Sequence, residues 1–396
     1  MNCWMREECP VTLNEWQDAL KDVMPRVIDL RRDLHRCPEL GGCEEKTQAR
    51  LIAELTALGI EVHTFRDCRA VMGVLRNGEG RCVAIRADMD ALPVAEETGL
   101  PFASEIPGRM HACGHDAHMA LAMGSAMWLS QNRDQWQGTV KWLFEPAEET
   151  TGGGRLMAEQ GCMDGVDVVI GQHMNPRYEA GTFFAKPGFV SGASDRIDLT
   201  VKGQSCHGAY PESGTDAIVI AAQVVSALQT IVSRTISPFD PAVLTFGTVA
   251  GGTANNIICG EVKLTGTLRT LSPETRGKLK ERIISVARGI ARGMGGDAEV
   301  VIDPGYGAVY NDDRYYAVIE NLARELVGEE KIVRREAASL GVESFCYFIE
   351  HTPGVYYDIG SGVGTALHTP TFTVDETCLL PGVALQCAAV MALLRS

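Results

Sequence analysis

The spacing of apolar side chains along this chain switches repeatedly between two patterns. Short runs of consecutive apolar residues indicate buried strands, whereas apolar residues three and four apart indicate amphipathic helices. In the first half of the chain these patterns predict helices over 13–36, 116–129 and 154–160, and strands over 71–76, 82–86, 139–144 and 166–170. The Asn77-Gly78 pair between the first two strands predicts a hairpin turn. Strands that alternate with helices indicate an α/β fold with a mostly parallel sheet.

From about Ser194 the order of the elements changes. The pattern predicts strands over 196–201, 242–249, 262–268 and 298–302, with helices over 215–233 and 273–292. This β-α-β-β-α-β order is typical of a compact α+β domain of the ferredoxin-like type. The α/β pattern then returns, with a helix over 315–327, a strand over 354–359 and a helix over 380–394. We therefore predict a discontinuous catalytic domain (1–190 and 304–396) and a smaller inserted domain (191–303).

Length and composition narrow the class of protein. A chain of 396 residues is too long for one ordinary hydrophobic core, which agrees with two domains. The formal net charge of −15 argues against nucleic-acid binding, because that function needs basic patches. The N-terminal segment lacks the apolar stretch of a secretory signal, and no apolar run approaches the roughly 20 residues of a membrane-spanning helix. The 13 scattered cysteines are typical of reduced thiols, so we expect a cytoplasmic protein with no membrane partner.

The segment MHACGHDAHM (110–119) concentrates candidate metal ligands. Cys113 and His115 are two residues apart, so a turn can direct both side chains into one cavity. Thiolate sulfur and imidazole nitrogen suit zinc and the neighbouring first-row metals. A single pair of this kind is more often accidental than functional, so further motifs in the chain are needed to identify it as a metal site.

Four further polar segments are predicted mostly at the ends of strands, where the functional groups of α/β sheets gather. They are ADMD (87–90), EPAEE (145–149), GQHM (171–174) and ALHTP (366–370). If they converge with 110–119, they form an anionic pocket in which two divalent cations about 3.5–4 Å apart can polarise a carbonyl and activate a water. Glu148 and Glu149 can then divide two tasks, since one carboxylate can bind metal while the other acts as general base. An isolated acidic pair is commonly a solvated turn, and an isolated histidine after a strand is commonly structural.

The order of these motifs resembles that of a known enzyme family. The chain carries RRDLHRCPEL, RADMDALP, MHACGHDAHMA, FEPAEE, GQH, GGTANNI, GTLR and LHTP, from about Val27 to near the C-terminus. The series resembles the co-catalytic metallopeptidases and amidohydrolases that include aminoacylases, hippurate hydrolases and indole-acetyl-amino-acid hydrolases. The resemblance implies a zinc-peptidase-like α/β catalytic domain with an inserted α+β lid or dimerisation domain. Any homodimer is therefore expected to form through residues 191–303.

The resemblance also implies roles for residues of the catalytic domain. Five positions match metal ligands, with the cysteine in the bridging place: Cys113, His115, Glu149, His173 and His368. Glu148 matches the general base of the family. Two positions match residues that orient the ligands, and we infer the same role for a third: Asp88, Asp90 and Asp116.

Three residues of the inserted domain match further family positions. His207 matches the histidine that helps to hold the developing oxyanion, which in some relatives reaches the site across a dimer interface. Asn256 and Arg269 match positions that contact the substrate, and an arginine fork suits the free carboxylate of an acylated amino acid. Three positions depart from the family pattern, and none is a predicted ligand or base: Cys37, Glu212 and Ser344. Because Glu212 and Ser344 are expected to flank substrate-binding surfaces, these departures concern specificity rather than the reaction.

We therefore predict hydrolysis of the amide bond of an N-acyl amino acid of acetyl, benzoyl or aryl-acyl type. The predicted cofactors are two divalent ions, drawn from zinc, manganese, nickel and cobalt. A dipeptidase or carboxypeptidase of the same family is the main alternative. A cysteine hydrolase would instead use Cys113 and His115 as a nucleophile pair. A non-catalytic metal-binding protein would need Glu149 but not Glu148.

Overall fold

The computed structural model describes residues 10–396, which form two compact units. Unit 1 contains the described part of Met1–Val190 together with Tyr310–Ala337 and Ser344–Ser396, and unit 2 contains Ser191–Val309 and Ala338–Glu343. The sequence prediction ends the inserted domain at residue 303, whereas unit 2 continues to Val309 and includes a later segment. Residues 1–9, which carry part of the segment that argued against a secretory signal, lie outside the described residues.

The elements follow one another in mixed α/β order. The helices are α1 (Leu13–Ala19), α2 (Met24–Arg36), α3 (Glu45–Ala57), α4 (His115–Gln131), α5 (Gly154–Glu159), α6 (Ala217–Thr235), α7 (Pro273–Gly293), α8 (Asp313–Val327), α9 (Cys346–Ile349) and α10 (Leu379–Arg395). The strands are β1 (Glu61–Thr64), β2 (Val71–Asn77), β3 (Cys82–Asp88), β4 (Gly138–Glu145), β5 (Val168–Asn175), β6 (Phe183–Ala185), β7 (Gly188–Ser191), β8 (Ala193–Lys202), β9 (Ala242–Gly251), β10 (Glu261–Thr270), β11 (Asp297–Pro304), β12 (Val309–Asn311), β13 (Ile332–Arg334) and β14 (Gly354–Gly360).

Unit 1 is built on an eight-stranded sheet with the order β1-β2-β4-β3-β5-β14-β6-β13. Its four central strands, β4, β3, β5 and β14, are parallel, and antiparallel pairings occur towards the edges. β3 and β14 are buried at every residue, which explains why most of their residues are apolar. The predicted α/β class with a parallel sheet centre is confirmed.

The hairpin predicted at Asn77-Gly78 is wrong. β2 and β3 do not pair with each other, because β4 lies between them, antiparallel to β2 and parallel to β3. Gly78 does turn the chain, with φ at +81°. β3 is a fully buried central strand, so it requires a neighbour on each side, and β4 and β5 occupy those places. Closeness in sequence therefore predicted the turn correctly but assigned the wrong partner strand.

The single helix predicted over 13–36 is also wrong, because the structure has two. α1 ends at Ala19 and α2 begins at Met24, with Pro25 in the first turn of α2. A proline has no N–H and its ring clashes with the carbonyl four residues earlier, so it is favoured in the first turn and not in the interior of a helix. The apolar spacing continues through the break because Trp16, Leu20 and Val27 all enter the same core.

Helices α4 and α10 form much of the core of unit 1. Residues 115–129 of α4 are all buried, which explains why apolar residues occur on every side of this helix. By length and composition alone, Ala217–Thr235 and Glu376–Arg395 are apolar enough to cross a membrane, contrary to the expectation that no run would approach that length. The second is 72% buried within the fold, as is typical of a core helix, and α6 buries one face in the core of unit 2.

Unit 2 has the element order β8-α6-β9-β10-α7-β11 and an antiparallel sheet in the order β11-β8-β10-β9. This is the predicted β-α-β-β-α-β arrangement. One face of the sheet, with Ile197, Leu199 and Leu264, packs on the apolar faces of α6 and α7. β9 is an edge strand with most of its residues exposed.

Candidate metal centre

The N-terminus of α4 carries the first two candidate ligands. Cys113 lies just before the helix and His115 begins it, with Gly114 between them at φ +85°. A side chain at Gly114 is disfavoured twice, since this φ lies in the left-handed region and an added Cβ would come 3.0 Å from the side chain of Met174. The glycine therefore lets two buried ligands converge on one place.

His173 contributes from within β5. The sequence prediction ended this strand at residue 170, but pairing with β14 extends it to Asn175. The His173 Nδ1 donates a hydrogen bond to the carbonyl oxygen of Met174 at 2.8 Å. Its Nε2 lies 3.3 Å from the sulfur of Cys113, so strand and helix bring these two side chains together.

Glu148 and Glu149 lie in the turn that follows β4. The Glu149 Oε1 is 3.0 Å from Nε2 of His368 and 4.0 Å from Nε2 of His115. His368 is half-exposed and adopts a left-handed backbone conformation with φ at +64°. Its N–H donates to the carbonyl of Ala112 at 2.8 Å, which ties this late loop to the segment just before Cys113.

The structure brings the five predicted ligands and Glu148 into overlapping groups. Within each group the donor atoms lie within 4.8 Å of one another: Cys113, His115 and His173; Cys113, Glu149 and His368; His115, Glu148 and Glu149. Cys113, His115 and Glu149 each belong to two of these groups, so the groups share donors, and the bridging role of Cys113 stays a prediction.

The hydrogen bonds of the histidines leave their Nε2 atoms suited to metal binding. His115 donates from Nδ1 to the carbonyl of Asp90 at 2.8 Å, and its buried Nε2 has no hydrogen-bond partner within residues 10–396. The Nδ1 of His173 is similarly occupied. Outer hydrogen bonds of this kind fix the tautomer of metal-binding histidines. The combined sulfur, nitrogen and oxygen donors fit divalent transition metals.

Burial and neighbouring charges shift the pKa values of these groups. Burial raises the pKa of the Cys113 thiol well above its usual range. Burial also opposes ionisation of Glu149, but His368 and His115 outweigh it and lower the pKa of that carboxyl to about 2. Glu149 is thus ionised at neutral pH, as a ligand must be. The Cys113 sulfur lies among the donor atoms of two candidate metal groups, which favours a ligand role over the cysteine-hydrolase hypothesis.

Asp90 organises the turn that carries both glutamates. Its Oδ1 accepts a hydrogen bond from the N–H of Glu148 and its Oδ2 accepts one from the N–H of Glu149, each at 3.1 Å. Its carbonyl accepts from His115, as described above. One buried aspartate therefore orients a candidate ligand and the turn with the candidate base.

Arg86 is a buried residue of this site that the sequence analysis missed. Its guanidinium donates to Asp88 at 2.6 Å, to Glu145 at 2.7 Å and to the Ser344 hydroxyl at 2.7 Å. The N–H of Ser344 in turn lies 3.4 Å from Oε1 of Glu148. Ser344 is buried and contributes to the support of Glu148, and the expectation that it flanks a substrate-binding surface stays a prediction.

His118 was also missed, although it lies in the same motif three residues after His115. Its Nδ1 donates to Asp88 at 2.6 Å and its Nε2 accepts from the N–H of Met174 at 2.8 Å. Asp88, His115 and His118 have the spacing of a metal site. Because both nitrogens of His118 are already engaged, we assign it to fixing the strand that carries His173. The i, i+3 spacing on one helix face was the available signal.

Asp116 is fully buried in a charged network behind α4. Its Oδ2 lies 2.8 Å from the guanidinium of Arg31 and 2.8 Å from Nδ1 of His35. Burial opposes ionisation, yet Arg31 and His35 hold the pKa of Asp116 well below its usual range. These contacts anchor the first turn of α4, which is consistent with an orienting role for Asp116.

The three candidate residues of the inserted domain lie in unit 2. His207 is exposed, accepts from the N–H of Ala209 at 3.1 Å, and has its ring centre 5.3 Å from that of Tyr210. The carbonyl of the exposed Asn256 accepts from the N–H of Gly208 at 2.8 Å, so these two loops are neighbours. Arg269 is half-buried in β10. Their catalytic and binding roles stay predictions.

Comparison with known proteins identifies the family. The model of "Peptidase family M20/M25/M40" matches residues 84–392. The chain belongs to this family. The M20 chain is 40% identical over 377 residues to "Probable hydrolase sll0100" of Synechocystis, covering 93% of this chain and 96% of that one. It is 38% identical over 363 residues to "N-acetyl-L-cysteine deacetylase" of Bacillus subtilis, covering 91% and 86%.

A solved structure supports the same assignment. The YXEP protein of Bacillus subtilis, described as a dinuclear metal binding peptidase from M20 family, matches with a TM-score of 0.84 and 34% identity over 95% of this chain and 99% of that one. The resemblance inferred from the motifs is therefore confirmed, and so is the fold of a catalytic domain with a lid domain. The M20 protein described here is a metal-dependent amidohydrolase.

Proposed function

We propose that this protein hydrolyses the amide bond of N-acyl amino acids, releasing a carboxylic acid and a free amino acid. The observation that carries the proposal is the pair of adjacent carboxylates, Glu148 and Glu149. Glu149 is held near His115 and His368, whereas Glu148 is directed to the N–H of Ser344 at the edge of the same cluster. The deacetylase name of the Bacillus subtilis relative supports an acylated amino acid as substrate.

In this proposal the residues around the donor cluster divide the work of hydrolysis. Two divalent ions held by the five ligands would polarise the scissile carbonyl and lower the pKa of water. Glu148 takes a proton from the attacking water and later donates it to the leaving amine. Asp90 keeps Glu148 in place through its amide hydrogen bond. His207 donates a hydrogen bond to the developing oxyanion.

We infer that unit 2 selects the substrate. The guanidinium of Arg269 can bind both oxygens of the free carboxylate of an acylated amino acid. Asn256 can contribute an amide donor or acceptor from its exposed loop. Glu212, also exposed, is a candidate determinant of the acyl or amino-acid group.

We propose zinc, manganese, nickel or cobalt as the metal, in two ions bridged by Cys113. The mixed donor set supports all four. Elemental analysis of the purified protein tests this directly. Cys113→Ala should lose most of its metal, because a bridging ligand serves both positions, and full occupancy in that variant would contradict the bridging role.

We propose a homodimer formed through residues 191–303. The support is β9, an edge strand of ten residues whose exposed backbone offers pairing to a second chain. Val249, 66% exposed, provides apolar surface beside that edge. Light scattering should give twice the chain mass, and Val249→Pro should reduce the measured mass.

We also propose a cytoplasmic location, which the free thiols of all eleven cysteines within residues 10–396 support.

The substrate proposal is tested with metal-reconstituted enzyme and a panel of N-acetyl and N-benzoyl amino acids, with amine release as the readout. A parallel panel of dipeptides tests the second candidate, a dipeptidase or carboxypeptidase. The family description and the description of the YXEP protein as a peptidase favour that candidate as the alternative. Faster turnover of dipeptides than of every N-acyl amino acid would overturn the proposal in favour of it.

A further inference from the structure

Glu44, which precedes α3, contacts the turn that carries Glu148 although it lies about a hundred residues earlier in the chain. Its side chain is fully buried, and its Oε1 accepts a hydrogen bond from the N–H of Ala147 at 2.8 Å. We propose that Glu44 is a positioning residue that fixes the direction of the Glu148 side chain. The proposal rests on the proposed role of Glu148 as general base.

The first argument is the way in which the turn is held. Three successive amides, those of Ala147, Glu148 and Glu149, donate to two buried carboxylates, with Glu44 taking the first and Asp90 the other two. Ala147 has φ at +57°, a left-handed conformation that a residue with a Cβ adopts only when its surroundings impose it. Loss of Glu44 would leave the Ala147 N–H buried and unpaired, which favours relaxation of this conformation. The backbone that sets the direction of Glu148 would then move.

The second argument is that the Glu44 side chain does not cap the helix that it precedes. It is the residue that precedes the first turn of α3, yet its side chain makes no capping hydrogen bond. Glu39 caps the helix in its place, with its carboxylate accepting from the N–H of Lys46 at 3.2 Å and from the N–H of Thr47 at 2.8 Å. The Glu44 carboxylate is thereby available to reach the distant turn.

The third argument is the close approach of the two backbones. A Cβ added at Gly41 would lie 3.0 Å from Cα of Ala147 and 2.8 Å from the hydroxyl of Thr150. The loop before α3 is itself attached to the strand end that carries Asp90, through the N–H of Ala91 and the carbonyl of Glu39 at 2.8 Å. The loop over 39–44 and the turn over 147–150 are therefore one packed assembly.

Burial also places the ionisation of Glu44 in an unusual range. Burial raises the pKa of its carboxyl to about 7, although nearby amide donors, including that of Ala147, lower it. The burial that raises this pKa is the same burial that brings the carboxylate against the Ala147 N–H.

The test compares Glu44→Leu with Glu44→Gln in the metal-loaded enzyme, using the N-acyl amino acid that the wild type hydrolyses fastest. The leucine variant removes the acceptor, so kcat should fall by about 100-fold with little change in KM, as expected when a reacting group is misplaced. The glutamine variant retains an acceptor oxygen and should restore kcat to near the wild-type value. Glu45→Gln, a change at the exposed neighbouring residue, serves as the matched control and should leave kcat, KM and metal content unaltered.

Wild-type kcat in a folded Glu44→Leu variant would overturn the inference, and so would a glutamine variant as slow as the leucine variant. If Glu44→Leu does not fold, Gly41→Ala decides, because its added methyl presses on Ala147 and should also lower kcat more than it raises KM. Glu148→Gln is measured alongside. Full activity in Glu148→Gln would refute the proposed function, whereas an inactive Glu148→Gln with a normal Glu44→Leu would refute only the role of Glu44.

Discussion

The two units hold their predicted site residues in different ways. In unit 1, hydrogen bonds to Asp90 hold the ring of His115 and the backbone of Glu149. The surrounding carboxylates and Arg86 are buried. In unit 2, His207 and Asn256 lie on exposed loops and contact mainly each other's loop. A pre-arranged cluster suits chemistry that requires fixed donors, whereas exposed loops suit groups that engage when substrate binds. Changes at the candidate ligands of unit 1 should therefore affect metal and chemistry together, whereas changes at the site residues of unit 2 should spare the metal.

Glu148→Gln should have the largest effect on the reaction. The amide can neither take the proton from water nor return it to the leaving amine, so kcat should fall by about 10³-fold or more. Metal content should remain near the wild-type value, because Glu149 and not Glu148 is the proposed ligand. Glu149→Gln is the matched comparison and should lose metal as well as activity. If elemental analysis finds the reverse, the assignment of the two neighbours must be exchanged.

His207→Ala should have the next largest effect and should separate the two units most clearly. Removal of one oxyanion donor typically lowers kcat by about 10²–10³-fold. Because His207 lies in unit 2, metal content and thermal stability should match the wild type. His351→Ala, at an exposed histidine of unit 1, provides a control for the loss of a surface imidazole. A His207→Ala variant with unchanged kcat would remove this residue from the mechanism.

Much of the candidate site could be predicted because its ligands occur in short motifs. The residue types of Cys113 and His115 identify them as candidate metal ligands, and Gly114 between them permits the turn. The boundaries of β5 could not be predicted, because Gln172 and His173 are polar residues inside a strand that pairing with β14 extends. Patterns that report only side-chain polarity end a strand too early when its last residues carry functional groups.

Residues that support the site were harder to find, because their partners are distant in sequence. Arg86 bonds to Ser344 and Glu44 bonds to Ala147, and neither pairing leaves a local spacing signal. Pro25 was the opposite case, since its position signalled a helix start that the continuous apolar pattern concealed. Such long-range hydrogen bonds depend on which strands are neighbours in the sheet. The strand order of unit 1 could not be predicted from the order of the motifs along the chain, so these bonds could not be predicted either.

Asp116→Asn should produce a moderate loss of stability that tests the network behind α4. Breaking this buried contact with Arg31 and His35 should lower the free energy of unfolding by about 3 kcal/mol, measured by urea denaturation. Asp33→Asn removes exposed ion pairs instead and should cost about 0–1 kcal/mol. Asp195→Asn breaks a comparable buried contact in unit 2 and should destabilise that unit without changing metal content. Metal loss in the Asp195 variant would contradict the separation of the two units.

His35, in the same network, should give the stability a pH dependence that is confined to neutral and alkaline pH. Burial alone would lower the pKa of His35, but Asp116 and Glu96 outweigh it and raise the pKa to about 9, from 6.5 in an unstructured chain. The native state therefore keeps this proton at pH values where the unfolded state has lost it. Its contribution is complete below pH 6.5 and is lost as pH rises through 9. Urea denaturation at several pH values between these limits should show the difference in unfolding free energy between wild type and His35→Gln shrinking as pH rises. Cysteines that are buried in the native state ionise near the upper limit when the chain is unfolded, so only the difference between the two proteins isolates His35. A constant difference would mean that the imidazole is neutral throughout.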